Sequence, residues 1–193
     1  NKDALEFGNI VHSALCEYFK KSPYNFDKNE FLNLYNNYEN TTPTLKNELF
    51  KIKLDAFESE QNKHFKDGFS IKDCELSIEA EFNGVPIMGN IDRVDINGDD
   101  IWLIDYKTGN IVDKSLQLAF YQMLYLAKFH KETKGYFYSL KDNKFVENKK
   151  SIDDLSCELN KLKEISNTQI CFTQNTKNCS NCPYETLCLR GLK

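Results

Sequence analysis

Asp105 and Lys107 interrupt an otherwise apolar segment, residues 101–107 (IWLIDYK). Alternate residues of a β-strand project to the same face, so a strand here would place a carboxylate and an ammonium group side by side. A second carboxylate, Asp92, belongs to the preceding apolar segment, residues 86–96 (PIMGNIDRVDI). The two segments are joined by NGDD, which is typical of a β-hairpin turn.

This hairpin predicts how the two carboxylates lie relative to each other. A four-residue loop, or a two-residue turn at the centre of NGDD, pairs Ile96 with Ile101 and sets Asp92 opposite Asp105. A turn at the first two residues of NGDD leaves the carboxylates diagonal to each other. In all three cases Asp92, Asp105 and Lys107 share a face, because paired residues project to the same side.

Two opposed carboxylates repel each other and destabilise the strand pairing unless a positive charge compensates them. A divalent cation such as Mg²⁺ or Mn²⁺ would do so, since carboxylate oxygens are its preferred ligands. The alternative is that Lys107 alone neutralises the pair within a surface ion network.

The rest of the chain shows apolar positions at helical or alternating spacing. The predicted order of helices and strands indicates a mixed α/β fold in one domain. Helices are predicted over 4–20, 29–38, 45–66, 115–131 and 151–166, and strands over 74–82, 86–96, 101–107 and 135–140, with a short return strand after the last. Glu75, Glu79 and Glu81 all fall on the polar face of the strand over 74–82.

The composition of the whole chain excludes several classes of protein. The net charge of −4 excludes a general electrostatic attraction to nucleic acid or acidic membranes. There is no apolar run long enough for a membrane span, so we expect a cytoplasmic protein without a membrane partner. Seven cysteines, three of them crowded near the C-terminus, favour a metal or cluster site over disulfides. Cys74 and Cys157 are expected to be buried small side chains.

GNIDRVD and LIDYKTG resemble the core motif of the PD-(D/E)XK nuclease superfamily, in its RecB-like exonuclease branch. That branch includes the nuclease domains of AddB-like and RecB-like proteins and the CRISPR-associated RecB-like exonucleases. Three further motifs match in the expected order. They are FGNIVHSAL with His12, QLAFY with Gln117 and Tyr121, and the C-terminal cysteine motif CSNCPYETLC.

The resemblance implies a restriction-endonuclease-like mixed sheet flanked by helices, with a C-terminal cysteine motif, and a divalent-metal-dependent deoxyribonuclease. Mg²⁺ or Mn²⁺ would be held by His12, Asp92 and Asp105. Lys107 would act on the attacking water or on charge developing at phosphorus. Gln117 and Tyr121 would position the DNA backbone and the lysine.

The resemblance also implies an acidic residue on the preceding strand. Its distance from IDRVD in the family pattern favours Glu79, with Glu81 as the nearest alternative and Glu75 also open.

Cys179, Cys182 and Cys188 would be ligands of a 4Fe–4S cluster, or alternatively of zinc. In the family the fourth cysteine lies upstream of the His12 helix. In this chain the site is therefore expected to be incomplete, unless Cys171 or Cys16 substitutes.

We thus expect residues 1–193 to form one nuclease domain, a fragment of a longer helicase–nuclease chain that processes DNA ends in recombinational repair. Its partners would be DNA and helicase domains or a helicase–nuclease partner subunit. The alternatives are a CRISPR-associated RecB-like exonuclease, or an inactive module that binds DNA or a partner.

Overall fold

A computed structural model describes residues 2–38, 45–82, 85–112 and 114–167. The chain divides into two compact units, residues 1–156 and 157–193. The elements, in chain order, are α1 (Lys2–Lys21), α2 (Lys28–Tyr38), α3 (Leu45–Ile52), α4 (Leu54–Lys66), β1 (Ser70–Phe82), β2 (Val85–Asn97), β3 (Asp100–Lys107), α5 (Gln117–Phe129), β4 (Lys134–Ser139), β5 (Lys144–Glu147) and α6 (Ile152–Asn167).

The strands form one sheet in the order β1-β2-β3-β4-β5. Neighbouring strands are antiparallel except β3 and β4, which are parallel and are connected through α5. A parallel pair needs such a crossover, because its second strand must begin at the same end as the first. The mixed α/β fold predicted from the sequence is confirmed.

Each face of the sheet is covered by helices. On one face, α1 to α4 supply a first core, in which Val11, Leu15, Phe19, Phe31 and Phe57 are almost completely buried. The three of these residues that belong to α1, Val11, Leu15 and Phe19, are each four residues apart, about one helical turn, as an amphipathic helix requires. Among the described residues, no helix combines the length and apolarity needed to span a membrane.

The other face is covered by α5, which packs Leu124 and Tyr125 into a second core with Ile78, Ile91 and Leu103 of the sheet. This helix is apolar over most of its circumference, as is typical of a buried helix. The helix approaches β2 so closely that a Cβ added at Gly89 would lie only 2.6 Å from Leu124 Cδ1.

The side-chain alternation of β1 reverses at Glu75. Cys74 packs in the first core, whereas Leu76 and Ile78 pack in the second, although all three positions are even-numbered. Glu75 has a φ of +54°, in the left-handed region that residues other than glycine rarely adopt. The regular two-residue period predicted for this strand therefore holds only beyond Glu75.

Two sequence predictions are corrected. The helix predicted over 45–66 is interrupted at Lys53, whose carbonyl oxygen accepts a hydrogen bond from Asn143 Nδ2 at 3.2 Å. Neither glycine nor proline marks this break in the sequence. Cys74 is buried as expected, but Cys157 is exposed.

Candidate metal centre

The hairpin between β2 and β3 has the register predicted for a two-residue turn at the centre of NGDD, one of the three turns that the sequence left open. Ile96 pairs with Ile101 and Asn97 with Asp100, so the turn consists of residues 98 and 99. Gly98 has a φ of +60°, which a tight hairpin turn of this length requires. The last pair of the ladder is Arg93 with Ile104, and the next positions along the two strands are Asp92 and Asp105.

Asp92 lies where the β2–β3 ladder ends. Its Oδ2 accepts a hydrogen bond from the backbone N–H of Tyr106 at 2.8 Å, so a carboxylate takes the place of a ladder carbonyl. This bond fixes one carboxylate oxygen at the end of the hairpin, on the face shared with Asp105. The predicted juxtaposition of the two acids is therefore present.

His12 of α1 reaches the same point. Its Nε2 lies 3.1 Å from the carbonyl oxygen of Tyr106, and its Nδ1 lies 3.3 Å from Asp92 Oδ2. A carbonyl oxygen only accepts hydrogen bonds, so Nε2 carries the proton that it donates. Burial lowers the pKa of His12, but the hydrogen bond and charge of Asp92 outweigh burial and raise that pKa. In the neutral ring the Nδ1 lone pair would be available to a bound cation. Metal-binding histidines commonly have this arrangement, with the second nitrogen bound to a backbone carbonyl.

Glu75 completes a group of potential ligands. One ligand atom each from His12, Glu75 and Asp92 lies within 4.8 Å of the others. Cys74 pairs with Arg93 and Leu76 with Ile91, so Glu75 is opposite Asp92. Its carboxylate accepts a hydrogen bond from Asn90 Nδ2. Burial and the charge of Asp92 raise the pKa of Glu75.

Asp105 is buried, with 2% of its surface exposed. Its Oδ2 is 2.5 Å from Lys107 Nζ, but this oxygen has no partner in hydrogen-bonding geometry. Burial and the charge of Asp92 raise the pKa of Asp105 to about 6, even with the lysine in contact. Lys107 alone therefore does not compensate the local negative charge, which argues against the surface ion network.

A chain of hydrogen bonds holds Lys107 from α5. Lys107 Nζ donates to Gln117 Oε1 at 2.7 Å, and Gln117 Nε2 donates to the Tyr121 hydroxyl at 3.0 Å. Gln117 and Tyr121 are one helical turn apart and project to the same side of the helix. The amide of Gln117 is thus oriented by Tyr121, and its oxygen is presented to the lysine.

The structure does not bring the other candidates into this group. Glu79 and Glu81 are exposed and lie opposite Met88 and Pro86, farther along β1. Cys171, Cys179, Cys182 and Cys188 lie outside the described residues. Cys16 is half-buried on α1 and packs against the first core.

The sequence leaves Glu75 open, because all three acids share one polar face when the strand is regular. It favours Glu79 only through the distance to IDRVD in the family pattern. Only the reversed alternation at Glu75 separates them, and its positive φ has no mark in the sequence.

The donor set suits a hard divalent cation. Carboxylate oxygens and one imidazole nitrogen are ligands of Mg²⁺ and Mn²⁺. Glu75 and Asp92 belong to the group of potential ligands, Lys107 is paired with Asp105, and Asp105 Oδ2 is a buried oxygen without a hydrogen bond. The residues present therefore fit such an ion.

Comparison with known proteins agrees with this geometry. The family profile described as the PD-(D/E)XK nuclease superfamily matches residues 1–189. Among curated proteins no match is found. The crystal structure of SSO0001 is 21% identical with a TM-score of 0.34, covering 75% of this chain and 70% of that one. That of protein VC1899 from Vibrio cholerae is 13% identical with a TM-score of 0.31, covering 82% of this chain and 47% of that one.

The two solved structures are too distant to add to the assignment, which rests on the family profile. Members of that family are metal-dependent nucleases, and the candidate ligands of this chain lie within the matched residues. The chain belongs to the PD-(D/E)XK nuclease superfamily.

Proposed function

We propose that this protein hydrolyses phosphodiester bonds of DNA with a divalent cation, Mg²⁺ or Mn²⁺, held by His12, Asp92 and Asp105 together with Glu75. The observation that carries the proposal is the convergence of His12, Glu75 and Asp92 within 4.8 Å, beside the Asp105–Lys107 pair. When bound, the cation supplies a Lewis acid for the phosphate and lowers the pKa of a water nucleophile.

The side chains of this protein have separate tasks in that reaction. An ammonium group has three donor hydrogens. Lys107 donates one of them to Gln117 and forms an ion pair with Asp105, so a further donor remains for a phosphate oxygen or the attacking water. Gln117 and Tyr121 hold the lysine at this position. With Nε2–H bound to the Tyr106 carbonyl, the Nδ1 of a neutral His12 ring would be available to the cation beside Asp92.

We further propose that the protein belongs to the RecB-like branch and acts as an exonuclease on DNA ends in double-strand-break repair. In this proposal residues 1–193 serve as the nuclease domain of a cytoplasmic helicase–nuclease. The support is the order of the motifs around His12, Asp92, Asp105 and Gln117 along the chain. The partners would be helicase domains of the same chain or a partner subunit.

A 4Fe–4S cluster held by Cys179, Cys182 and Cys188 is part of the same proposal. Its support is the spacing of the three thiolates. Protein that includes the fourth cysteine of the family, purified without oxygen, should absorb broadly at about 400 nm and should contain iron and acid-labile sulfide. Zinc in place of iron, without visible absorption, would contradict the cluster and favour a structural zinc site.

The nuclease proposal is tested by digestion of linear and circular DNA with Mg²⁺ or Mn²⁺. Wild-type protein should degrade DNA, EDTA should stop the reaction, and Asp105→Ala and Lys107→Ala should each reduce the rate by at least about a hundredfold. Equal rates for wild type and both variants would show that the cleavage comes from another site or a contaminant. Preference for linear over circular DNA tests the exonuclease part separately.

A further inference from the structure

Two buried residues that have no task in the proposed reaction are direct neighbours of the two carboxylates. Arg93 follows Asp92 in β2, and Tyr106 follows Asp105 in β3. Successive residues of a strand project to opposite faces of the sheet, so the side chains of Arg93 and Tyr106 lie on the face away from the candidate metal centre. Both are buried there, and Tyr106 belongs to the core formed with α1 to α4.

The spacing of the two carboxylates depends on side-chain contacts between β2 and β3. The ladder of these strands ends at the pair Arg93 and Ile104, while β2 goes on pairing with β1 and β3 with β4. Beyond that pair, side chains of β2 bridge to β3 on each face of the sheet. Asp92 Oδ2 accepts the N–H of Tyr106 at 2.8 Å on one face. On the other face, Arg93 Nη1 donates to the Tyr106 hydroxyl at 2.9 Å.

The Arg93 guanidinium is a fixed point for this second bridge. It donates two hydrogen bonds to Asp95 and one to Gln61, and its centre lies 4.8 Å from the centroid of the Phe19 ring. A planar guanidinium with this many partners has a single orientation. The position of the Tyr106 hydroxyl is therefore set by Arg93.

Tyr106 in turn contacts two of the candidate metal ligands. Its backbone N–H is bound to Asp92, and its carbonyl accepts the hydrogen bond of His12 Nε2 at 3.1 Å. Its ring also meets the imidazole of His12 edge to face, with centroids 5.8 Å apart. A shift of Tyr106 would therefore move both His12 and Asp92.

We propose that Arg93 is a positioning residue of the metal centre, which acts through the Tyr106 hydroxyl to hold His12 and Asp92 at the spacing that the cation needs. Groups that orient metal ligands without touching the metal typically change its affinity by about 10- to 100-fold. The proposal rests on the proposed function, because it requires that the cation binds at His12 and Asp92.

The first test removes the hydroxyl alone. Tyr106→Phe keeps the ring and both backbone groups, and it should weaken Mn²⁺ binding at least about tenfold, as measured by titration calorimetry without DNA. Tyr18→Phe is the matched control, because Tyr18 is buried in the same core and its hydroxyl accepts the N–H of Asp27 at 2.7 Å. That variant loses a hydrogen bond of the same kind and should bind Mn²⁺ like wild type.

The second test breaks the same bridge from its other end. Arg93→Met/Asp95→Leu removes the guanidinium together with its counter-charge, and it should weaken Mn²⁺ binding by a similar factor. Adding Tyr106→Phe to this double variant should cause no further loss, because both changes remove the same hydrogen bond. Thermal unfolding verifies that each variant is folded at the temperature of the titration, and either test decides the proposal if the variant of the other does not fold.

An affinity of Tyr106→Phe for Mn²⁺ within about twofold of wild type would overturn the proposal, since the loss would fall below the usual range for such groups. Losses that multiply in the combined variant would do the same, because they would show that the residues act independently. Wild-type protein that binds no Mn²⁺ would contradict the proposed function itself. Wild-type binding that Tyr106→Phe leaves unchanged would contradict only the role of Arg93.

Discussion

Asp105 is a residue whose charge the folded protein tolerates poorly. Burial and the charge of Asp92 raise its pKa from 3.8 to about 6. When the folded-state pKa of an acid lies above its unfolded-state value, the ionised form destabilises the fold. That cost disappears as the pH falls from the folded-state pKa toward the unfolded-state pKa. In metal-free protein the Asp105 carboxylate therefore lowers the free energy of unfolding at neutral pH.

We expect Asp105→Asn to raise the free energy of unfolding of metal-free protein by up to about 3 kcal/mol at neutral pH, since one pKa unit corresponds to about 1.4 kcal/mol. The gain should decrease as the pH falls below about 6, the pKa of Asp105, and vanish near the unfolded-state value. Urea unfolding in EDTA at several pH values measures it, with Asp99→Asn in the exposed turn as control. A gain that is independent of pH would mean that another property of the substitution causes it.

Glu75 and Glu79 lie on the same strand, and only Glu75 is near His12 and Asp92. We expect Glu75→Gln to weaken Mn²⁺ binding at least about tenfold, since loss of even an indirect metal contact typically costs that much. Glu79→Gln is the matched control and should bind Mn²⁺ like wild type. Titration calorimetry measures both. If Glu79→Gln weakens Mn²⁺ binding and Glu75→Gln does not, the ligand is Glu79, the residue favoured by the family pattern.

At this scale the sequence predicts part of the site. The shared face of Asp92, Asp105 and Lys107 follows from the two-residue period of strands and an even-length turn, which hold for nearly any hairpin. The choice of Glu75 depends on one backbone dihedral in β1. Such a local reversal depends on how the strand packs between the two cores. The alternation of apolar residues within one segment carries no information about that packing.

Among the elements, α5 carries Gln117 and Tyr121, and Gln117 accepts the hydrogen bond of Lys107. The same helix packs closely on β2. Gly89 provides the room, because a Cβ there would lie 2.6 Å from Leu124 Cδ1 and 3.4 Å from Phe120 Cε1. Leu124 is fully buried and has little space to move. The separation of α5 from the sheet is therefore set at this glycine.

We expect Gly89→Ala to lower the free energy of unfolding by about 1–3 kcal/mol, the usual cost of an overpacked core. Gly8→Ala is the same substitution on α1, where a Cβ would meet only Thr108 Oγ1 at an ordinary 3.7 Å. It should be neutral or stabilise by up to about 1 kcal/mol, since alanine favours a helix interior over glycine. Chemical unfolding of both measures the contrast, and equal effects would contradict the close approach at Gly89.

The order of the elements follows from their apolar periodicity, which is a property of each segment alone. The break at Lys53 does not. The Lys53 N–H donates to the carbonyl of Phe50, three residues back, and the Lys53 carbonyl accepts an additional hydrogen bond from Asn143, which is 90 residues away. Contacts of this kind form only in the assembled fold, so the pattern of residues in one segment does not predict them.

For the whole molecule, a buried polar network joins the sheet to α4. Arg93 and Asp95 are completely buried and form an ion pair, with Arg93 Nε donating to Asp95 Oδ1 at 2.7 Å. Arg93 also donates to Gln61 and to the Tyr106 hydroxyl, and His64 Nε2 lies 2.8 Å from Asp95 Oδ2. The two-residue period of β2 places Arg93 and Asp95 on the face away from Asp92, but it does not identify their partners on α4.

The network makes Asp95 sensitive to acid. Burial alone would raise its pKa, but the charge and hydrogen bonds of Arg93 outweigh burial and lower it below its usual 3.8. An acid with a lowered folded-state pKa stabilises the fold above its unfolded-state pKa, and that contribution is lost as the pH falls through the folded-state value. Asp95 therefore contributes to stability at neutral pH, opposite in sign to Asp105.

We expect Asp95→Asn to lower the free energy of unfolding by about 3–5 kcal/mol, because Arg93 is left as an uncompensated buried charge. The double variant Arg93→Met/Asp95→Leu removes both charges and should recover much of that loss, since apolar replacement of a buried ion pair is often nearly neutral. Urea unfolding at neutral pH measures the two proteins beside wild type. A double variant less stable than Asp95→Asn would contradict this expectation. It would mean that the hydrogen bonds of Arg93 to Gln61 and Tyr106 contribute more to stability than the ion pair, and that these bonds hold α4 to the sheet.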